Sequence, residues 1–199
     1  MKTQYKPYYR ALKKPQILEL PKIPIISIKG EGNPNTNPLF ESHISALYQL
    51  SYGFRMSYRN QPIEGYYTYT VGPLEGFWST NTGLEYTQDK DTLTYEIFIV
   101  QPDFVTEQIF LEYQQKLQSK NDYIKEVEFK YIEEGLCGQI LHIGSFDSEP
   151  ESVAKLEQHL NQEGYKFVND SHHEIYLSDF RRVTEDKYKT LIRYKIEKV

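Results

Sequence analysis

The two halves of this 199-residue sequence repeat one order of predicted elements, and this repetition constrains the fold more than any other feature. Each half is expected to contain a strand, a helix and two further strands. In the first half, a β-branched run from Ile23 ends at Gly30, and a helix capped by Asn37, with Pro38 in its first turn, follows to about Tyr52. Strands predicted over "YYTYTVGPLEGFWS" and "TLTYEIFIVQP" complete this half.

The second half shows the same order in the strand "GQILHIG", a helix over 150–163, and the strands "HHEIYLS" and "KTLIRYKIE". Ser148 or Asp147 is expected to cap that helix. Aligning the halves pairs Gly30 with Gly144 and Glu75 with Glu174.

The repetition predicts an α+β fold, a pseudo-two-fold pair of β-α-β-β modules whose antiparallel sheets surround a central ligand groove. We expect a lead-in segment over residues 1–20 and a single domain over 21–199. Within that domain, the first module covers about 21–101 and the second about 124–199. A linking helix over about 103–121, capped by Asp103, joins them.

Charge and cysteine content exclude several classes of protein. A net charge of -5 argues against binding to a phosphate backbone, although the basic, tyrosine-containing residues 2–14 could be a nucleic-acid arm instead of a solvated lead-in. The single cysteine, Cys137, excludes an intrachain disulfide and a cysteine-based zinc site, and it is expected to be a small buried residue. No stretch is apolar enough for a membrane span. We therefore expect a cytoplasmic protein without a cofactor and without direct nucleic-acid or membrane partners.

Six segments together carry a family resemblance: "GNPN", "YGFRMSYR", "PLEGFW", "QPDFVTE", "EEGLCGQILHIGSFDSEP" and "HHEIYLSDFRR". In this order and spacing the chain resembles the stand-alone branch of the GyrI-like small-molecule-binding proteins. The resemblance implies the same domain that serves as the effector-binding domain of multidrug-responsive transcription regulators, with an aromatic groove and a glutamate that meets cationic or aromatic drugs. It also implies that some stand-alone members hydrolyse cyclopropane-bearing DNA-alkylating toxins. No helix-turn-helix segment is apparent, so the alternative is a non-catalytic effector-binding or drug-sequestering protein that acts with a separate regulator or on DNA gyrase.

The stretch "SHHEIYLSDF" contains the candidate glutamate. In a strand, Glu174 and Tyr176 share one face with His172, whereas Ile175 lies on the other face with His173 and Leu177. We expect Ile175 and Leu177 to pack against the helices and Glu174 to face the groove, where the resemblance places the family glutamate. Adjacent histidines that point in opposite directions do not favour a metal site.

Glu174 has several chemical roles open to it. It could be a surface carboxylate paired with an arginine, a charge partner for a cationic ligand, or a general base towards water. Glu75 is its expected first-half counterpart, unless it is only a turn carboxylate. Two glutamates that face one groove would repel each other, so one would keep a proton and act as an acid while the other activates water.

Aromatic residues are abundant, with 18 tyrosines among them, and each could belong to the core or to a ligand wall. The candidate ligand-binding residues are Tyr52, Met56, Tyr58, Tyr69, Phe77, Trp78, Phe104, Phe146 and Tyr176, with Tyr67 as a further aromatic candidate.

Overall fold

The computed structural model describes residues 8–59, 61–80, 89–168 and 171–199. The strands are β1 Gln16–Leu20, β2 Ile23–Glu31, β3 Glu75–Thr80, β4 Leu93–Val100, β5 Glu128–Ile132, β6 Gly135–Ile143, β7 Tyr165–Phe167, β8 His172–Tyr176 and β9 Lys189–Lys198. The α-helices are α1 Pro38–Arg55, α2 Glu107–Leu117 and α3 Glu149–Gln162. Across these ranges, no helix is both long and apolar enough to cross a membrane.

The strands form an antiparallel sheet in the order β1-β6-β9-β8-β3-β4-β2-β5, and β7 adds to β9. The series β2-α1-β3-β4 and β6-α3-β8-β9 lie on either side of an approximate two-fold axis between β3 and β8. The predicted pair of β-α-β-β modules is confirmed. Each half also lends its first strand to the other, since β1 pairs with β6 and β5 pairs with β2.

Residues 8–20 belong to the fold, so the expectation that residues 1–20 are a lead-in outside the domain is wrong for this part. Strand β1 pairs with β6 over its whole length, and Tyr8 is only 1% exposed. The Gln139 side chain also donates a hydrogen bond to the carbonyl of Arg10. Apolar residues between prolines give this segment a face to bury. Among the basic residues of the expected lead-in, Lys13 and Lys14 are exposed, whereas Lys2 and Lys6 lie outside the described residues.

The helices of both modules pack on one face of the sheet. Helix α1 buries Leu47 and Leu50 in a core that includes Ile97 of β4, while α3 buries Leu156 with Ile192 of β9. These helices cover different halves of the sheet, so β3 and β8 run between them. The opposite face forms a separate core, which is closed by the segment that contains Tyr8.

Several predicted boundaries change. Helix α1 is capped by Asn37 as expected, but it continues to Arg55 because Phe54 is buried on its inner face. Helix α2 begins at Glu107 with Thr106 as its cap, not at Asp103, and it ends at Leu117. Two short 3-10 turns, over 118–120 and 122–126, follow it.

Two further local predictions also change. The expected aromatic strand is confined to Glu75–Thr80, so residues 66–74 lie outside it. The Ser148 hydroxyl binds the carbonyl of Ser145 instead of capping α3, and no side-chain cap bond is made at this position.

Candidate functional site

Strand β8 separates its side chains between the two faces of the sheet. His172, Glu174 and Tyr176 share one face as predicted, but this is the face that carries the helices, because Tyr176 packs in the α1 core. Ile175 lies in the opposite core with Tyr8. The expectation that Ile175 and Leu177 pack against the helices is therefore wrong. Both faces of β8 are buried, because residues near Tyr8 cover the face opposite the helices. The apolar side chains of the strand therefore could not reveal which face carries the helices.

Glu174 lies in a buried polar group between α1 and α3. Its Oε1 atom is 2.8 Å from Nε2 of His172, and Glu174 is 7% exposed. The indole Nε1 of Trp78 donates a 2.7 Å hydrogen bond to the hydroxyl of Tyr176. Burial and the adjacent charge of Glu174, to which the hydroxyl is hydrogen-bonded, raise the pKa of Tyr176 well above its ordinary value. A continuous polar chain thus runs from Trp78 through Tyr176 to Glu174.

A second carboxyl group, Glu149, completes this group. It is the first residue of α3, is 4% exposed, and has a carboxylate oxygen within 4.8 Å of one of Glu174. Burial, followed by the negative charge of Glu174, raises the pKa of Glu149 well above its ordinary value. Burial and the neighbouring charge of Glu174 thus favour the protonated form of Glu149. We call Glu149, His172, Glu174, Tyr176 and Trp78 the glutamate site.

Sequence reasoning missed Glu149 because it treated the turn before α3 only as a cap. One signal was available: α1 and α3 both have proline in the first turn, and Glu149 precedes Pro150 as the capping Asn37 precedes Pro38. The acidic residue in the equivalent position turns towards the sheet, where it meets Glu174.

Glu75 does not face Glu174, so the alternative in which both glutamates face one groove is wrong. In the β3–β8 ladder, Glu75 lies opposite Ile175 and Gly76 lies opposite Glu174. When the two-fold rotation superposes the strand pairings of one half on those of the other, Glu75 takes the position of His173. The sequence alignment of the halves was thus one residue out of register, and one residue is enough to move a side chain to the other face.

Glu75 instead belongs to what we call the buried ion network, on the back of the sheet. It accepts hydrogen bonds from the hydroxyls of Tyr8 at 2.8 Å and Tyr9 at 2.7 Å, and lies 2.9 Å from Nε2 of His173. The other ring nitrogen of His173 is 3.0 Å from Glu134, which also accepts a 3.0 Å hydrogen bond from Arg193. These six residues, Tyr8, Tyr9, Glu75, Glu134, His173 and Arg193, fix the back of β8.

Charge pairing outweighs desolvation in this network. Burial opposes the charged form of His173, but Glu134 and Glu75 raise its pKa. Burial likewise opposes the charged form of Glu134, yet His173 and Arg193 lower its pKa to about 2. Ionised groups on the back face hold the strand that presents Glu174 on the front.

The structure brings together only some of the predicted ligand-binding residues. Trp78 and Tyr176 are hydrogen-bonded to each other, and the ring of Phe146 lies 5.9 Å from that of Tyr176. Two residues that were not predicted complete this aromatic group, since Phe40 lies 5.9 Å from Trp78 and Phe180 lies 5.9 Å from Tyr176.

The other candidates do not join this wall. Phe77 is on the back face, 4.9 Å from the ring of His173. Tyr69 is buried in the first-half core, while Tyr52 and Tyr58 are 54% and 45% exposed. Met56, Tyr67 and Phe104 line a different cleft, between α1 and α2.

The glutamate site has donor atoms that could hold a metal ion. Glu149, His172 and Glu174 each offer one ligand atom, and these atoms lie within 4.8 Å of one another. Without an ion, burial and the charge of Glu174 favour the protonated form of Glu149 instead. The expectations that the chain has no native metal and no cofactor stay predictions.

The sequence and the fold both match known proteins. Residues 13–196 match the family model of the GyrI-like small molecule binding domain. The structure of a hydrolase from Listeria innocua superposes with a TM-score of 0.90 at 30% identity and covers 98% of both chains. An uncharacterized conserved protein from the same organism matches with the same identity, coverage and TM-score.

A further structure shares the fold more distantly. The C-terminal domain of EcmrR has a TM-score of 0.52 at 17% identity, covering 94% of this chain and 98% of that domain. No curated protein matches the sequence. The match across residues 13–196, together with the two Listeria structures, shows that this chain belongs to the GyrI-like family of small-molecule-binding domains.

Proposed function

We propose that this protein binds planar aromatic cations at the glutamate site. The supporting observation is the carboxylate of Glu174, which is 7% exposed and lies beside Tyr176, whose hydroxyl accepts a hydrogen bond from Trp78. A buried carboxylate is costly unless a positive group compensates it, and aromatic faces attract organic cations. Helices α1 and α3 cover different halves of the sheet, so the central strands β3 and β8 between them can line such a site.

Access to Glu174 requires movement of aromatic side chains. Phe146 and Phe180 contact Tyr176, and both are half-buried residues outside the strands and α-helices. We expect a ligand to displace these rings and stack between them and Trp78. Side-chain rearrangement of this kind would admit ligands of different shapes.

Trp78 is the only tryptophan, so its fluorescence reports on this site. We would titrate the protein with N-methylacridinium and with neutral acridine, which have nearly the same shape. In Glu174→Gln we expect affinity for the cation to fall about tenfold or more, corresponding to about 1.4 kcal/mol, because the buried charge partner is lost. Affinity for acridine should change much less.

Glu157→Gln is the matched control, because Glu157 is an exposed residue of α3. It should bind both compounds like the wild type. Equal loss of cation affinity in the two variants, or no loss in either, would contradict ligand binding at Glu174.

We further propose that the site hydrolyses a strained ring. This is supported by the proximity of the two carboxyl groups, whose oxygens lie within 4.8 Å, and by the raised pKa of Glu149. One similar protein from Listeria innocua is a hydrolase. Glu174 takes a proton from water, and the resulting hydroxide forms a bond to a cyclopropane carbon. The ring C–C bond breaks, its electron pair moves into a conjugated carbonyl, and Glu149 protonates the carbonyl oxygen.

The hydrolysis test uses a cyclopropane-bearing dienone in ¹⁸O-labelled water, with products followed by mass spectrometry. Wild-type protein should form a ring-opened product that contains one ¹⁸O atom. Glu174→Gln should lose turnover, whereas Glu149→Gln should slow it strongly while the neutral dienone still quenches Trp78. If wild-type protein binds the compound and leaves it intact, the function is sequestration and the hydrolysis proposal fails.

A further inference from the structure

A cavity lies at the other end of α1, away from the glutamate site. It is a cleft of about 1130 Å³ between the end of α1, the loop 61–67 and α2, and it shares no lining residue with the glutamate site. We call it the α1–α2 cleft. Its volume is ample for a drug-sized ligand, for which pockets of about 300–1,000 Å³ are usual.

The floor of the cleft depends on close contact between the two helices. A Cβ atom at Gly53 of α1 would lie only 2.8 Å from Cδ1 of Leu117 and 3.2 Å from Cδ1 of Tyr113, both on α2. Glycine therefore allows this approach. Met56 and Ile63 add apolar surface, so the floor offers a thioether, aliphatic groups and an aromatic ring.

The lining carries an excess of negative charge. Glu64, Asp103 and Glu112 are exposed carboxylates, and Lys116 is the one lysine or arginine among the described residues that line this cleft. The Nζ atom of Lys116 lies 5.3 Å above the ring of Tyr113. One wall of the cleft thus already binds an ammonium group from its own chain.

We propose that the α1–α2 cleft is a second ligand site, selective for hydrophobic organic monocations. The ligand's apolar groups contact the floor, and its charge replaces the ammonium of Lys116 over Tyr113 while the carboxylates at the rim compensate it. An anion of the same shape meets the net negative rim and is rejected. This site is independent of ligand binding or chemistry at Glu174.

Tetraphenylarsonium and tetraphenylborate test the proposal, because these ions share size and shape but differ in charge. Isothermal titration of the full chain should detect tetraphenylarsonium binding that persists in Glu174→Gln, and much weaker binding of tetraphenylborate. The triple variant Glu64→Gln/Asp103→Asn/Glu112→Gln should weaken binding of the cation about tenfold or more. The double variant Glu64→Gln/Glu112→Gln retains the Tyr67–Asp103 hydrogen bond and provides a second reading if the triple variant is unstable.

The matched control, Glu128→Gln/Glu133→Gln/Glu157→Gln, changes the net charge equally at three exposed residues outside the cleft. When combined with Glu174→Gln, this control variant should still bind tetraphenylarsonium, and that result would support the site. Equal weakening in the control and cleft variants, equal affinity for both ions, or complete loss of binding in Glu174→Gln alone would each overturn the proposal.

Discussion

Replacing Glu134 by Gln tests whether the buried ion network stabilises the fold. Gln has the shape of the glutamate but cannot carry its charge beside His173 and Arg193, which lie 3.0 Å from its two oxygens. The pKa of Glu134 is lowered from an ordinary 4.5 to about 2. At about 1.4 kcal/mol for each tenfold change, the ionised carboxylate contributes about 3 kcal/mol to the free energy of unfolding.

The sign of the pH dependence follows from this lowered pKa. The contribution of Glu134 is fully present above pH 4.5, where the unfolded chain is also ionised, and it is lost as the pH falls through about 2. Urea unfolding followed by circular dichroism should therefore give wild-type protein an advantage of about 3 kcal/mol over Glu134→Gln at pH 5. For a chain of this length, that corresponds to a difference of roughly 10 °C in melting temperature.

The difference between the two proteins should shrink towards zero near pH 2. Comparing the proteins at each pH removes the contribution of the carboxyl groups that they share. Glu133→Gln is the control, because this neighbouring glutamate is exposed. Parallel pH profiles for wild type and Glu134→Gln between pH 5 and 2 would refute the argument that charge pairing outweighs desolvation in the network.

Three further predictions concern the glutamate site and helix packing. The pKa of Glu149 is raised in the folded protein, so this residue contributes stability below pH 4.5 that is lost as the pH rises through the folded-state pKa. Measured by urea unfolding, Glu149→Gln should therefore be more stable than the wild type at pH 8 but not at pH 4. Trp78→Phe removes the hydrogen bond to Tyr176 and should lower the free energy of unfolding by about 1–3 kcal/mol, while an unchanged value would contradict the polar chain. Gly138→Ala should cost about 1–3 kcal/mol in the same assay, because its Cβ would lie 2.9 Å from Leu160; full wild-type stability would show that α3 shifts freely.

The sequence predicted local features whose causes are local. Asn37 followed by Pro38 fixed the start of α1, and strand alternation grouped Glu174 with Tyr176. Thr106, and not Asp103, caps α2, because the Thr106 hydroxyl accepts a hydrogen bond from the backbone amide of Ile109. Sequence alone does not decide which of two neighbouring candidate residues makes the cap. The exchange of β1 and β5 between the halves was missed, because short edge strands receive their partners from distant sequence.

The sequence by itself determined the repeated modules, the elements in each module and the residues that share a strand face, since these depend on spacing along the chain. Only the tertiary structure decided which face carries the helices, because residues near Tyr8 bury the back of β8 as well. It also decided that Glu149, and not Glu75, meets Glu174. Strand pairing across the fold decides which face of the sheet a side chain occupies and which group a buried charge meets. A shift of one residue in that pairing moves the side chain to the other face.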